Sequence, residues 1–251
     1  MRDTEVFYLY GYEVYLFVMG VALIASFVQS ATGFGYAVIC MALWPLVMPF
    51  RTASILEALT AFVLVTLVLA RLWHSINWKI LWPPLVASII TGTFGVLALM
   101  SSSDTVMRRI VGAVLLLLCG YFVFFSDRVH IKPTVLNGMI AGAVSGFFGG
   151  WFNIAGPPMA IYFLAVIKNK EEYNATIQFH FGVNTIFCFI IHLVLRNVGA
   201  EIYSLGLAVS AAIFVGTFFG MKLFSKLKLK SLKRVVYIFM AAMGTYMLIV
   251  G

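Results

Sequence analysis

The sequence predicts an all-α, polytopic membrane protein of about ten helical segments, in two homologous repeats that each open with a broken helical hairpin. Three observations carry this prediction. The 251-residue chain is 63% hydrophobic and only 10% charged, with a mean hydropathy of +1.03, a balance that excludes a soluble globule. Its apolar runs are broken at two corresponding places by glycine-rich stretches, Gln29-Ser30-Ala31-Thr32-Gly33-Phe34-Gly35-Tyr36 and Ser145 to Leu164. Several short stretches also recur at an offset of 122 to 125 residues.

The second break is the sharper one. Gly149, Gly150 and Gly156 disfavour helix, and Pro157-Pro158 ends one helix and starts another. Proline suits the first turn of a helix, so Gly156-Pro157-Pro158 reads as the N-terminus of a short half-helix. Such an end carries unpaired N–H groups and the positive end of the helix dipole, which favours an anion. Paired interruptions in the two halves of a membrane chain point to a transporter binding site.

Taken in order, segment one runs about Tyr12–Ala31 and segment two about Phe34–Met48, short and stopped by Pro49. Segment three is about Ala53–Leu72. Segment four is about Ile80–Met100, with Pro83-Pro84 in its first turn. Ser101 to Asp104 caps segment five, about Thr105–Phe125. Asp127, Arg128, His130 and Lys132 mark a polar hinge. Segment six is about Thr134–Gly150 and segment seven about Gly156–Val166. Segments eight to ten are about Tyr173–Leu195, Glu201–Phe224 and Leu232–Val250. The repeats are residues 1–127 and 134–251, joined by hinge 128–133, in one membrane domain. Three matches carry the duplication: Gly92-Thr93-Phe94-Gly95 with Gly216-Thr217-Phe218-Phe219-Gly220, Arg108-Arg109-Ile110-Val111 with Lys233-Arg234-Val235-Val236, and Ala53-Ser54-Ile55 with Ala175-Thr176-Ile177.

If both breaks are hairpins, Arg2, Arg51, Arg108, Arg109 and Arg196 fall on one side. Arg71, Lys79, Arg128, Lys132, Lys168, Lys170, Lys222, Lys226, Lys228, Lys230, Lys233 and Arg234 fall on the other, which is then cytoplasmic. Five segments per half make the repeats inverted, with both termini outside. If each break lies within a single span, eight spans and parallel repeats result. The shortness of segments two and seven favours hairpins. The net charge of +8 thus reflects topology, and no nucleic-acid partner is expected. The N-terminus lacks the positive region of a cleaved signal peptide. Cys40, Cys119 and Cys188 lie inside apolar segments and read as packing residues.

Polar residues inside the segments are the candidate site, because each is costly in hydrocarbon. Gln29, Ser30 and Thr32 cluster at the first break beside Gly33, Phe34 and Gly35. Asn153 sits in the second with Trp151, Gly156, Pro157 and Tyr162 around it. On segment eight, His180 and Asn184 share one face. Each of these taken singly is equally explained as an interhelical hydrogen bond. Gly138, Gly142 and Gly146, at four-residue spacing, read as a packing face. Glu57 and His180 are candidates for proton coupling, although Glu57, a turn or so inside its segment, reads first as an interfacial carboxylate. No Walker loop, helical H-E-x-x-H or Cys/His metal cluster is present, so neither a cofactor nor a metal is expected. A Ser145–His180 pairing is the one arrangement on which a membrane enzyme could be built, and a passive anion channel is the other competing class.

Both breaks, read as Gln29 to Tyr36 and Ser145-Gly-Phe-Phe-Gly-Gly-Trp-Phe-Asn-Ile-Ala-Gly-Pro-Pro158, resemble the glycine-rich motifs of the TauE/SafE family of sulfite-exporter-like anion permeases. The first lacks the run of three glycines found in many members. The resemblance covers nearly the whole chain. It implies a duplicated secondary transporter of small anions, among them sulfite, sulfonates and other sulfur-containing carboxylates, in a bacterial inner membrane. The expected partners are the small anion and the bilayer, and a homodimer is left open.

Overall fold

The computed structural model of the chain describes residues 11–124, 131–224 and 229–250. Among these residues the backbone forms helices α1 (Tyr12–Thr32), α2 (Tyr36–Leu43), α3 (Phe50–Leu72), α4 (Trp78–Met100), α5 (Asp104–Phe124), α6 (Val135–Phe152), α7 (Gly156–Val166), α8 (Lys170–Val194), α9 (Ala200–Phe224) and α10 (Leu229–Val250). Short 3-10 turns, Trp44–Leu46 and Trp73–Ser75, follow α2 and α3. Six helices (α1, α3, α4, α6, α8 and α9) are long and apolar enough to cross a membrane. A helix satisfies its own backbone, which a hydrocarbon solvent requires.

Local chemistry sets several starts. The Thr134 hydroxyl accepts from the Asn137 amide and begins α6. The Asn169 side chain accepts from the Glu171 and Glu172 amides and begins α8 three residues before the expected Tyr173. Asn77 caps α4 through the Ile80 amide. That start precedes the expected Ile80, so Pro83 and Pro84 lie inside the helix, past its first turn.

At both breaks the chain turns back along the helix it has just left. After α1, the Trp44 indole donates to the Val18 carbonyl at 3.3 Å, while Gly35 lies against Val28. After α6, Ser145 Oγ donates to the Ala155 carbonyl at 2.8 Å, and Gly138 lies against the Tyr162 hydroxyl. Contacts 35–28 and 44–18, then 155–145 and 162–138, run in antiparallel order, so each break is a hairpin. The returning α7 has 11 residues, about 16 Å of helix and roughly half the hydrocarbon thickness.

The breaks are made differently from the expectation in one respect. Helix α6 runs through Gly149 and Gly150 to Phe152, and the turn comes at Asn153, whose φ is 55°. Gly150 belongs to the packing stripe instead. A Cβ on Gly142, Gly146 or Gly150 would collide with the backbone of Pro84, Ser88 or Gly92. The Gly138–Gly142–Gly146 packing face is therefore present, and it extends one turn further. Close backbone approach of this kind supplies van der Waals contact where lipid offers no hydrophobic drive. Gly216 and Gly220 do the same for α9, against the Leu23 and Phe27 carbonyls of α1.

The most extensive pairings are α4 with α6, α1 with α9, α5 with α10 and α3 with α8. Exchanging the first five helices for the last five maps this set onto itself. The loops gather at two ends. Asn77 hydrogen-bonds Glu172 and Thr176, joining the α3–α4 turn to the start of α8. At the opposite end, Arg51 donates to the Met100 carbonyl, the Phe50 amide to Asp104, and Asn197 to the Met100 sulfur. Trp73, Trp78 and Trp82 are exposed together near the first end. Of the residues used above, Arg2, Phe125, Asp127, Arg128, His130, Lys226 and Lys228 lie outside the described residues.

Candidate functional site

Between the two hairpins lies a small cavity of about 40 Å³. Gly35, Ala37 and Val38 of the first turn of α2 face Ala155 and Gly156 at the start of α7 across it. Central turns of α3 (Glu57, Ala61) and α8 (Phe181, Asn184, Thr185, Cys188) close the sides, with Gln29, Gly149 and Asn153 between them. The two breaks touch: a Cβ on Gly156 would stand 3.6 Å from that of Phe34.

Each break is held by a long helix of the other half. Gly33 has φ 90° and Gly35 φ 122°, values that a side chain rarely tolerates. Thr32 Oγ1 donates to the Val28 and Phe34 carbonyls, at 2.9 Å and 2.6 Å, and so fixes this reversal. Gln178 of α8 reaches over it, donating to Asn174 Oδ1 at 3.3 Å and accepting from Gln29 at 3.1 Å. Gln29 in turn accepts from the Tyr36 amide at 3.0 Å and so caps α2. In the second break, Asn153 Nδ2 donates to the Ser54 carbonyl at 2.6 Å and to Glu57 Oε2 at 2.8 Å, both on α3.

The donors left for a ligand are backbone groups. The first four amides of a helix, counting that of the N-cap residue, have no intrahelical partner. On α2 the Tyr36 amide is taken by Gln29, which leaves Ala37 and Val38 on the cavity wall. On α7 two of the first three residues are Pro157 and Pro158, so the N–H groups there come from Gly156 and from the N-cap residue Ala155.

Of the residues expected at the site, Gln29, Gly35, Asn153, Gly156, Asn184 and Glu57 line this cavity. Gly33, Phe34 and Thr32 shape the turn behind it, and Pro157 is buried in the start of α7. Ser30 lies against Gly220 of α9. Trp151 stacks on Phe152 and donates to Ser102 Oγ. Tyr162 faces a separate groove with Lys132 and Asn137. His180 is fully buried against Phe163, and its carbonyl accepts from Asn184. The cavity face of α8 is thus Phe181–Asn184–Thr185–Cys188, one position round from the expected one. Ser145 is bonded to Ala155, and among the described residues no hydrogen bond joins it to His180.

Glu57 departs most from expectation. It is 2% exposed, covered by protein on all sides. Helix α3 starts at Phe50 instead of Ala53, which puts Glu57 two turns in, and the second hairpin covers it. Ala37, Val38, Ala61 and Thr185 were not anticipated. Small apolar residues carry no sequence signal of a site, but the spacing of Thr185 one residue from Asn184 could have flagged that face.

The profile of the family described as Sulfite exporter TauE/SafE matches residues 18–247. The chain belongs to the TauE/SafE family. The match takes in both hairpins and every long helix, and it makes the chain a multi-pass membrane protein of a transporter family. No curated protein and no solved structure matches it.

Proposed function

We propose that this TauE/SafE member is a secondary transporter of a small anion: sulfite, a sulfonate or another organosulfur or carboxylate anion. The observation that carries the reading is the single cavity onto which both broken hairpins open. Two helix N-termini aimed at one space supply partial positive charge without a fixed cation. An anion held by dipoles and N–H groups is released more readily than one paired with lysine or arginine, and turnover needs release. Gln29, Asn153 and Asn184 form the polar wall around these donors, and Phe181 with Val38 covers an apolar portion of the ligand.

The two halves act as inverted repeats, residues 1–127 and 134–251, with α3 and α8 crossing between the hairpins. Alternating access follows from one half rocking against the other. The symmetric set of helix pairings supports this division. The charge distribution supports an orientation with the Lys168–Lys170 end inside the cell, and the family points to a bacterial inner membrane.

Ligand-induced thermal shift on the purified chain tests the site. A ligand that binds only the folded state raises the melting temperature. Sulfite or methanesulfonate is expected to stabilise the protein above matched chloride controls. Equal curves with all sulfur anions and with acetate would contradict the reading.

A further inference from the structure

We propose that Glu57 is a proton-binding site of the anion cavity, so that the anion binds together with one proton and the two cross as a pair. This rests on the anion-site reading above. Glu57 is buried and lines the same cavity as the two half-helix N-termini. Its carboxylate accepts from Asn153 at 2.8 Å, and among the described residues no Lys, Arg or His lines the cavity. The titratable groups that face it are the Tyr36 hydroxyl and Cys40 thiol of α2 and the Cys188 thiol of α8. None of these can supply a positive charge. From α5 and α9, which also pack on α3, no titratable side chain among the described residues reaches the cavity wall.

An ionised Glu57 and an anion would then be two negative charges in one small space, with backbone dipoles and amide side chains but no cation to offset both. Like charges that share a site cannot both stay ionised. Protonation of Glu57 removes the conflict and leaves the dipoles to the anion. The same proton acts on the second hairpin. Asn153 is both the donor to Glu57 and the residue that turns α6 into α7. Adding a proton to the carboxyl changes what holds that hairpin against α3, and this links occupancy to movement.

The test is calorimetric titration of the full-length chain with methanesulfonate, in buffers of different ionisation enthalpy, from mildly acidic to mildly alkaline pH. Methanesulfonate is the anion of a strong acid, so any proton taken up is taken up by the protein. The proposal expects no proton uptake at pH values where Glu57 is already protonated in the empty protein, rising to one proton bound per anion at higher pH. Affinity should fall about tenfold per pH unit once Glu57 is ionised in the empty protein. Glu57→Gln should bind with no proton uptake and no pH dependence, whereas Glu57→Asp should keep both. Binding at constant affinity without proton uptake overturns the proposal and leaves the anion site standing. So does uptake that persists in Glu57→Gln, or affinity that follows sodium instead of pH. No binding at any pH contradicts the anion-site reading itself, and the proposal falls with it.

Discussion

Asn153 does two things that a sequence shows only in part. Its side chain ties the second hairpin to α3 through Ser54 and Glu57, and its backbone takes φ 55° to reverse the chain. Asparagine is among the few residues that visit this region at small cost. The two roles separate by substitution. Asn153→Gly keeps the turn and loses both hydrogen bonds, so we expect folded protein with sulfonate affinity reduced about tenfold or more. Asn153→Val puts a β-branched residue where it is strongly disfavoured, so we expect loss of folded protein on size-exclusion chromatography. Wild-type affinity in Asn153→Gly would remove the side chain from the site. Asn153 was legible because a polar residue between Gly149-Gly150 and Gly156-Pro157-Pro158 has few structural explanations. Glu57 was misread because its environment is built by a hairpin almost a hundred residues away.

At the level of elements, the Ser101 to Asp104 cap and the prolines Pro49 and Pro157 located helix ends to within a few residues, since such residues act on their own neighbours. Glycines were ambiguous, because a break and a close helix contact call for the same residue. The partner decides between them: Gly146 and Gly150 face α4 backbone. Gly146→Ala should therefore lower the melting temperature markedly, by the roughly 1–3 kcal/mol or more that overpacking costs. Gly20 has nothing within 4 Å of its would-be Cβ. Gly20→Ala should be neutral or stabilising by up to about 1 kcal/mol. Equal melting temperatures for the two variants would contradict the packing account. The hairpins themselves were only half legible. Short segments suggested them, but the return of α2 along α1 depends on contacts such as Trp44 with Val18.

For the whole molecule, the two hairpins fix which loops share an end, and the bundle's pairings repeat when its halves are exchanged. The proposed orientation puts the α4–α5 loop outside and the α7–α8 loop inside. Ser101 and Lys168 are exposed in these loops. Ser101→Cys should react with a membrane-impermeant maleimide in intact cells, and Lys168→Cys only after the membrane is opened. Labelling of both from the same side would contradict the inverted arrangement. The most direct test of transport is uptake of radiolabelled sulfite into proteoliposomes, with and without unlabelled sulfite inside. An alternating-access carrier predicts faster entry when the inside is preloaded, because the loaded site returns more readily than the empty one. Entry that is unaffected by preloading and follows the membrane potential alone would contradict the account and identify a passive anion channel.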